Sequence, residues 1–385
     1  MTLAARLPEY PWDELAPIAE KARAFPGGAV DLSVGTPVDP VPAVIQDALV
    51  AAANAPGYPL TAGTPELRSA AAGWLARSLD VHVDPVTVLP VIGTKELIAW
   101  LPTMLGLGPA DTVLYPSLAY PTYGIGARLC GAASAAVDDV ASRADQQSAS
   151  DHGALDGAPA SSRLLWLNSP SNPTGRVLPA ASLRDAVAWA RARGAVLASD
   201  ECYIELGWDS SPVSVLHHSV RGDSLDGVLG VFSLSKRSNL AGYRAGFVTG
   251  DPALMKDLLL VARQAGMIVP GPVQAAMVAA LSDDAHAVEQ KARYAARRAI
   301  LAEGLTAAGF RIEHSEAGLY LWATRPGLDC WAACELLATQ CGLLVGPGSM
   351  YGPEGNAFIR VALTATDERV ATAGDRLRAL AAPLS

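Results

Sequence analysis

Through the middle of the chain, short apolar runs alternate with stretches whose apolar residues recur at helical spacing. That is the pattern of βαβ units and a mostly parallel sheet. The clearest unit spans residues 163–200. Arg163-Leu164-Leu165-Trp166-Leu167-Asn168 predicts a short strand ending in a Pro/Asn/Gly turn. Ser182 is placed to cap a helix whose apolar face carries Leu183, Val187 and Ala190, with Gly194 just past its end. Ala195 to Glu201 predicts the next strand, and a third apolar run from Gly227 to Leu234 leads into Ser235-Lys236. All three end in polar, chemically capable residues on what should be one edge of one sheet. Open α/β sheets bind ligands in the crevice outside that edge, so a cofactor is expected there.

Residues 141–162 are small, polar and without period, and read as an exposed loop. The C-terminal third predicts helices around 284–308 and 329–341 and strands near Leu319–Ala323 and Phe358–Leu363. These elements predict a large α/β domain over residues 41–280. Beside it stands a smaller α+β domain built from residues 1–40 and 281–385. Two domains also suit a chain of 385 residues, which is long for one compact core. No internal repeat is visible.

Composition narrows the function. Half the residues are hydrophobic and 17% are charged, as in a soluble globular enzyme. The net charge of −9 argues against a nucleic-acid partner, which needs a basic face. The start of the chain turns polar at Glu9, Asp13 and Glu14, without an apolar core of signal-peptide length. Lys95 and Glu96 interrupt the longest apolar stretch, near residues 88–107, so no membrane partner is expected. Five scattered cysteines (Cys130, Cys202, Cys330, Cys334 and Cys341) point to reduced thiols and a cytoplasmic setting. The last three lie in a helix-like stretch without a nearby histidine and read as buried thiols, not metal ligands. Gly124, Gly126 and Gly131 resemble part of a dinucleotide fingerprint, but the third glycine is misplaced and no strand precedes them. His217-His218 reads as a solvated loop pair, and no metal is expected.

The chain has five lysines: Lys21, Lys95, Lys236, Lys256 and Lys291. Lys236 alone is predicted to end an apolar strand, flanked by Ser233 and Ser235, where partial desolvation would make its amine a Schiff-base nucleophile. Arg244 follows within Gly242-Tyr243-Arg244-Ala245-Gly246, whose glycines let the backbone approach a ligand while the guanidinium forks onto phosphate. Asp200 closes the neighbouring strand, and a buried carboxylate there needs a cation, which a protonated pyridine nitrogen would supply. The stiff turn Asn168 to Gly175 presents Asn172 as a hydrogen-bond donor. Taken singly, each of these segments also fits a Pro-fixed loop, a helix cap or a snorkelling lysine.

Together, Asn172-Pro173-Thr174-Gly175, Asp200-x-x-Tyr203 and Ser233-x-Ser235-Lys236 with Arg244 resemble the fold-type I aminotransferases of the aspartate aminotransferase superfamily. Order and separations agree over nearly the whole chain. The resemblance implies a large domain with a mostly parallel sheet in three α/β/α layers, a small α+β domain, and pyridoxal 5′-phosphate (PLP) as cofactor. It implies that Lys236 holds PLP as a Schiff base and shuttles the proton between the substrate's α-carbon and the cofactor. Asp200 would keep the pyridine nitrogen protonated. Asn172 and Tyr203 would bond the ring hydroxyl, and Arg244, Ser233 and Ser235 the phosphate.

Further matches extend the likeness. Thr94 and Lys95, opening a helix after Gly93, would complete the phosphate cup. Tyr120 resembles the ring-stacking aromatic, with Tyr123 as the alternative. Tyr58 matches the tyrosine that reaches the neighbouring subunit's phosphate, which implies a homodimer with shared active sites. Arg360 matches the arginine that forks the substrate's α-carboxylate, and Gly35 the glycine lining the substrate side. The implied reaction is ping-pong transfer of an amino group between amino-acid and 2-oxo-acid substrates.

Within the family, Leu118 to Tyr123 leading into Gly126-Ala127-Arg128, and Gly266 to Pro272, are most similar to the actinobacterial N-succinyldiaminopimelate aminotransferases of lysine biosynthesis. That likeness implies N-succinyl-LL-2,6-diaminopimelate with glutamate and 2-oxoglutarate as the couple. Arg128, Arg263 and the amides near Gly271 are candidate partners for the distal carboxylates. Aspartate, alanine or an aromatic amino acid remains as an alternative substrate, and a PLP-dependent C–S lyase as an alternative reaction. A non-enzymatic PLP-binding regulator fits less well, because Lys236 and Arg360 are both intact.

Overall fold

A computed structural model describes residues 2–137, 155 and 157–381. Its strands, in chain order, are β1 (Val30–Asp31), β2 (Leu89–Ile92), β3 (Thr112–Pro116), β4 (Ala133–Val137), β5 (Ser162–Asn168), β6 (Val196–Asp200) and β7 (Val228–Ser233). There follow β8 (Ala245–Gly250), β9 (Arg311–Glu313), β10 (Tyr320–Thr324), β11 (Leu343–Leu344), β12 (Gly346–Pro347) and β13 (Phe358–Ala362). Seven of them form the central sheet, in the order β2-β8-β7-β6-β5-β3-β4. Only β8 runs against its neighbours.

Both faces of this sheet are covered, which explains why its strands read as unbroken apolar runs and not as alternating ones. Along β5, Leu164 and Trp166 face a core with Leu97, Ile98 and Leu101 of the helix Thr94–Met104 and Tyr123 of the helix Thr122–Cys130. Leu165 and Leu167 face the other side, toward Trp74 of the helix Pro65–Leu79 and Leu183 of the helix Ala180–Arg193. The result is the three-layer α/β/α arrangement expected from the sequence. A second sheet, β12-β13-β10-β9, is antiparallel and has its own core. Ile18 and Ala22, near the chain start, share that core with Leu301, Leu321 and Leu337. Arg297 fastens the two stretches, with Nη2 2.6 Å from Asp39 Oδ1 and Nε 2.7 Å from Asp367 Oδ1. No helix among the described residues is long and apolar enough to cross a membrane.

Three local expectations need correction. The helix after β5 begins at Ala180, behind Pro179, so Ser182 lies inside it, buried, and is not the cap; Gly194 does close it, left-handed at φ 61°. Lys236 is not on a strand but in the one-turn helix Leu234–Arg237 that follows β7. Of the expected loop 141–162, residues 141–154 and 156 lie outside the described residues. Ser162 already belongs to β5, and Leu155 is buried, its carbonyl accepting Trp189 Nε1–H at 3.1 Å. A leucine among small polar residues thus plugs the core.

Candidate active site

The parallel pairing of β5, β6 and β7 brings Asn168, Asp200 and Ser233 to one edge of the sheet. Asn168 braces the turn that follows it. Its Nδ2 donates to Asp200 O at 2.8 Å, and its Oδ1 accepts the Asn172 amide at 2.7 Å. Gly175, at φ +71°, seats the turn against the antiparallel domain, where a β-carbon would come within 2.6 Å of Ala317 O. Asn172 is thereby held at the edge with its Oδ1 facing Arg360.

Asp200 is buried and pairs with no cation among the described residues. Tyr123 Oη donates to its Oδ2 at 2.9 Å, and the Cys202 amide to Oδ1 at 3.2 Å. Burial still pushes its carboxyl above the ordinary range, because these donors offset the lost hydration only in part. Tyr123 itself is fully buried and stacked on Trp166, with ring centroids 5.1 Å apart at 24°. It supports Asp200 from behind. Tyr120 meets it edge-on at 6.0 Å and stays partly open toward the crevice.

Ser233 Oγ accepts the Ser235 amide at 3.2 Å and so caps the turn that carries Lys236. Lys236 Nζ donates to the carbonyl of Gly35. Gly35 has no room for a side chain, since a β-carbon would overlap the Tyr320 hydroxyl. Burial lowers the Lys236 amine to about 8, with the charges of Arg360 and Arg244 acting in the same direction. A much larger fraction of it is therefore free base near neutral pH than of an ordinary lysine.

Beside the lysine turn, Gly93 opens the helix Thr94–Met104 at φ +73°. Arg244, itself left-handed at φ 55°, occupies the space a β-carbon on Gly93 would need. A helix start, an arginine and the buried Ser235 make an anion site from backbone dipole and charge together. The Lys95 side chain is exposed and lies over the Tyr10 ring, its Nζ 5.9 Å from the centroid. Tyr58 is completely exposed.

Opposite stands Arg360, on β13, 3% exposed. Its Nη1 donates to Asn172 Oδ1 at 2.8 Å and its Nη2 to Ser33 O at 2.6 Å, while Nε has no partner among the described residues. No carboxylate neutralises it among those residues. Three rings enclose it instead, Tyr320 at 4.0 Å, Tyr351 at 4.8 Å and Trp12 at 5.5 Å from the guanidinium carbon to the centroid. Tyr203 Oη lies 3.2 Å from Tyr320 Oη, on the same wall. Sequence reasoning missed Trp12, Tyr320 and Tyr351. Tyr351 sits among glycines and Trp12 beside a proline, with no periodicity to mark either.

Among the described residues, this crevice therefore holds a buried acid without a cation, a buried guanidinium without an anion, an amine of lowered basicity, and a helix start beside an arginine that suits an anion. PLP and an amino-acid carboxylate are complementary to that set, group by group. The chain belongs to the class I and II aminotransferases, whose family profile matches residues 28–377. It is an aminotransferase that acts on amino-acid and 2-oxo-acid substrates, and its cofactor is PLP. It is 58% identical to the 4-dedimethylamino-4-oxo-anhydrotetracycline transaminase of Streptomyces rimosus, over 96% of this chain and 99% of the relative. A crystal structure of an aminotransferase from Neisseria meningitidis is 31% identical and superposes with a TM-score of 0.88, over 99% of this chain and 100% of the other. A probable N-succinyldiaminopimelate aminotransferase from Thermus thermophilus is 29% identical with a TM-score of 0.84, over 96% and 100%.

Proposed function

We propose that Lys236 carries the cofactor and moves the α-proton, that Asp200 pairs with the pyridine nitrogen, and that Arg360 clamps the substrate's α-carboxylate. The observation that supports this most is the meeting, in one crevice, of these three buried groups from separate segments, each without its counter-group among the described residues. When bound, PLP takes up the donor's amino group and draws electrons from its α-carbon. Arg360 and Asn172 would orient the donor with that carbon toward Lys236, which as free base can accept the proton. Tyr123, donating to Asp200, keeps that carboxylate aimed. Tyr120 would cover the ring, Asn172 and Tyr203 would bond its hydroxyl, and the Thr94 and Lys95 amides with Ser233, Ser235 and Arg244 would hold the phosphate. The crevice then lies between a large domain of residues 41–280 and a small one of residues 1–40 and 281–385, and the enzyme works in the cytoplasm as a homodimer.

For the substrate, the reading carried from the sequence is N-succinyl-LL-2,6-diaminopimelate with 2-oxoglutarate, in lysine biosynthesis. The likeness to the Thermus thermophilus protein supports it. Of the residues proposed for its distal carboxylates, Arg263 stands exposed in the last turn of the helix Pro252–Ala265, whereas Arg128 is exposed in the last turn of the helix Thr122–Cys130, which leads into β4 at the strands' starting edge, away from Asn168, Asp200 and Ser233. A second reading is a large ring-bearing oxo compound, favoured by the rings of Trp12, Tyr320 and Tyr351 around Arg360 and by the 58% identical relative. A competition assay decides. Each donor is offered at equal concentration with 2-oxoglutarate, and glutamate formation is followed. Under the first reading the succinylated donor exceeds aspartate and alanine by at least about a hundredfold in kcat/KM, the order expected from two lost polar contacts. Equal or better use of aspartate would overturn it and leave the aminotransferase assignment in place.

A further inference from the structure

The helix Pro65–Leu79 ends in Asp80, left-handed at φ 51°, and its carboxylate lies beside His217 and His218, at the start of the short helix His218–Arg221. One donor atom from each of these three side chains lies within 4.8 Å of the other two. His217 Nε2 is 3.5 Å from Asp80 Oδ2, and the two imidazole centroids are 4.2 Å apart. His82 Nε2 lies 3.2 Å from the other carboxylate oxygen, Oδ1. None of these residues belongs to the active site. The pair His217-His218 alone reads as a solvated loop; Asp80, distant in the chain, supplies the anion that the pair lacks.

The spacing is informative. Hydrogen bonds between nitrogen and oxygen cluster near about 2.7–3.2 Å, so 3.5 Å is long for one. It is close to the edge of a tetrahedron, roughly 3.3 Å, whose centre is bonded at about 2.0–2.1 Å, as zinc is to imidazole and carboxylate. We propose that Asp80, His217 and His218 form a site for one divalent transition-metal ion of the zinc class, with solvent completing the coordination. Imidazole with a single carboxylate suits zinc and its neighbours, whereas calcium and magnesium demand more oxygen ligands. His82, on Oδ1, orients the carboxylate so that Oδ2 faces His217. Metal on His217 Nε2 requires the proton on Nδ1, where Ser219 Oγ stands ready at 2.7 Å as acceptor. The Ser219 amide, which faces the same nitrogen at 3.2 Å, loses its acceptor in that state, a cost the metal bonds must exceed. The ion would tie the end of one helix to the start of another and stabilise the folded chain by mass action.

The test is a zinc titration of the PLP-loaded enzyme near neutral pH, followed by calorimetry and by thermal unfolding. The expected result is one ion per chain and a Tm that rises with zinc. Asp80→Asn, which tolerates the left-handed backbone, and His218→Ala should each weaken binding by more than about tenfold, a loss that even outer-shell partners can cause. His217→Asn keeps an acceptor at the helix start and should do the same, so the result does not hang on one variant's folding. Absence of saturable binding overturns the proposal. So does binding that is unchanged in these variants, which would locate the ion on other groups such as the free cysteines.

Discussion

Two adjacent carboxylates at the end of β6 show how a single-residue step along a strand separates roles. Asp200 points to the Tyr123 side of the sheet, and Glu201, the next residue, to the opposite side, as the pleat requires. Glu201 Oε1 accepts the Val215 amide at 2.7 Å, and the residue is 2% exposed. Burial pushes its carboxyl from 4.5 up to about 7, against the pull of the Ser214 and Ser199 hydroxyls and the Val215 amide. A folded-state value raised in this way means that the native protein holds a proton which the unfolded chain has released. The stability it contributes is full below the unfolded value and is lost as pH rises through about 7. The loss amounts to about 3 kcal/mol. Glu201→Gln keeps the acceptor for Val215 and removes the titration. Its Tm should therefore exceed the parent's at pH 8 and match it near pH 4.5. Equal melting curves at both pH values would show that Glu201 does not titrate in this range.

At the scale of elements, the sequence made legible those features that local chemistry and covering layers both enforce. The strands β5, β6 and β7 carry apolar runs because helices cover both faces, and their polar last residues mark the ligand edge. Asn172, Asp200, Lys236 and Arg244 could be named because their spacing follows from that chain path. What stayed hidden depends on contacts distant in sequence. The role of Tyr123 in bracing Asp200 arises from packing against Trp166, which lies on another element. Trp12 approaches Arg360 from the chain start, and Tyr320 and Tyr351 from the antiparallel domain. Ser182 has the chemistry of a cap, as a serine early in a helix does, while Pro179 already fixes the entry three residues earlier than expected. Leu155 gave no periodic signal, because one buried side chain is enough to anchor its stretch.

On the scale of the whole molecule, the central sheet and the antiparallel sheet bring buried Asp200 and Arg360 together without a cation or a carboxylate beside them among the described residues, and the proposed reading assigns those counter-groups to cofactor and substrate. Tyr58 and Leu60, large and exposed at 100% and 57%, fit a surface that a second copy would cover. The homodimer proposed here predicts a dimer in sedimentation velocity, and weaker PLP retention in Tyr58→Phe with the dimer intact. A fully active monomer would refute it. The central claim is that Lys236, alone among the five lysines, is the cofactor's attachment point. Its lowered basicity, its contact with Gly35 and its place beside the anion cup all bear on that claim. The most direct measurement is borohydride reduction of the PLP-loaded enzyme followed by peptide mapping. The account predicts one modified peptide, bearing the cofactor on Lys236, and none in Lys236→Ala. Modification of Lys21, Lys95, Lys256 or Lys291 in its place would contradict it.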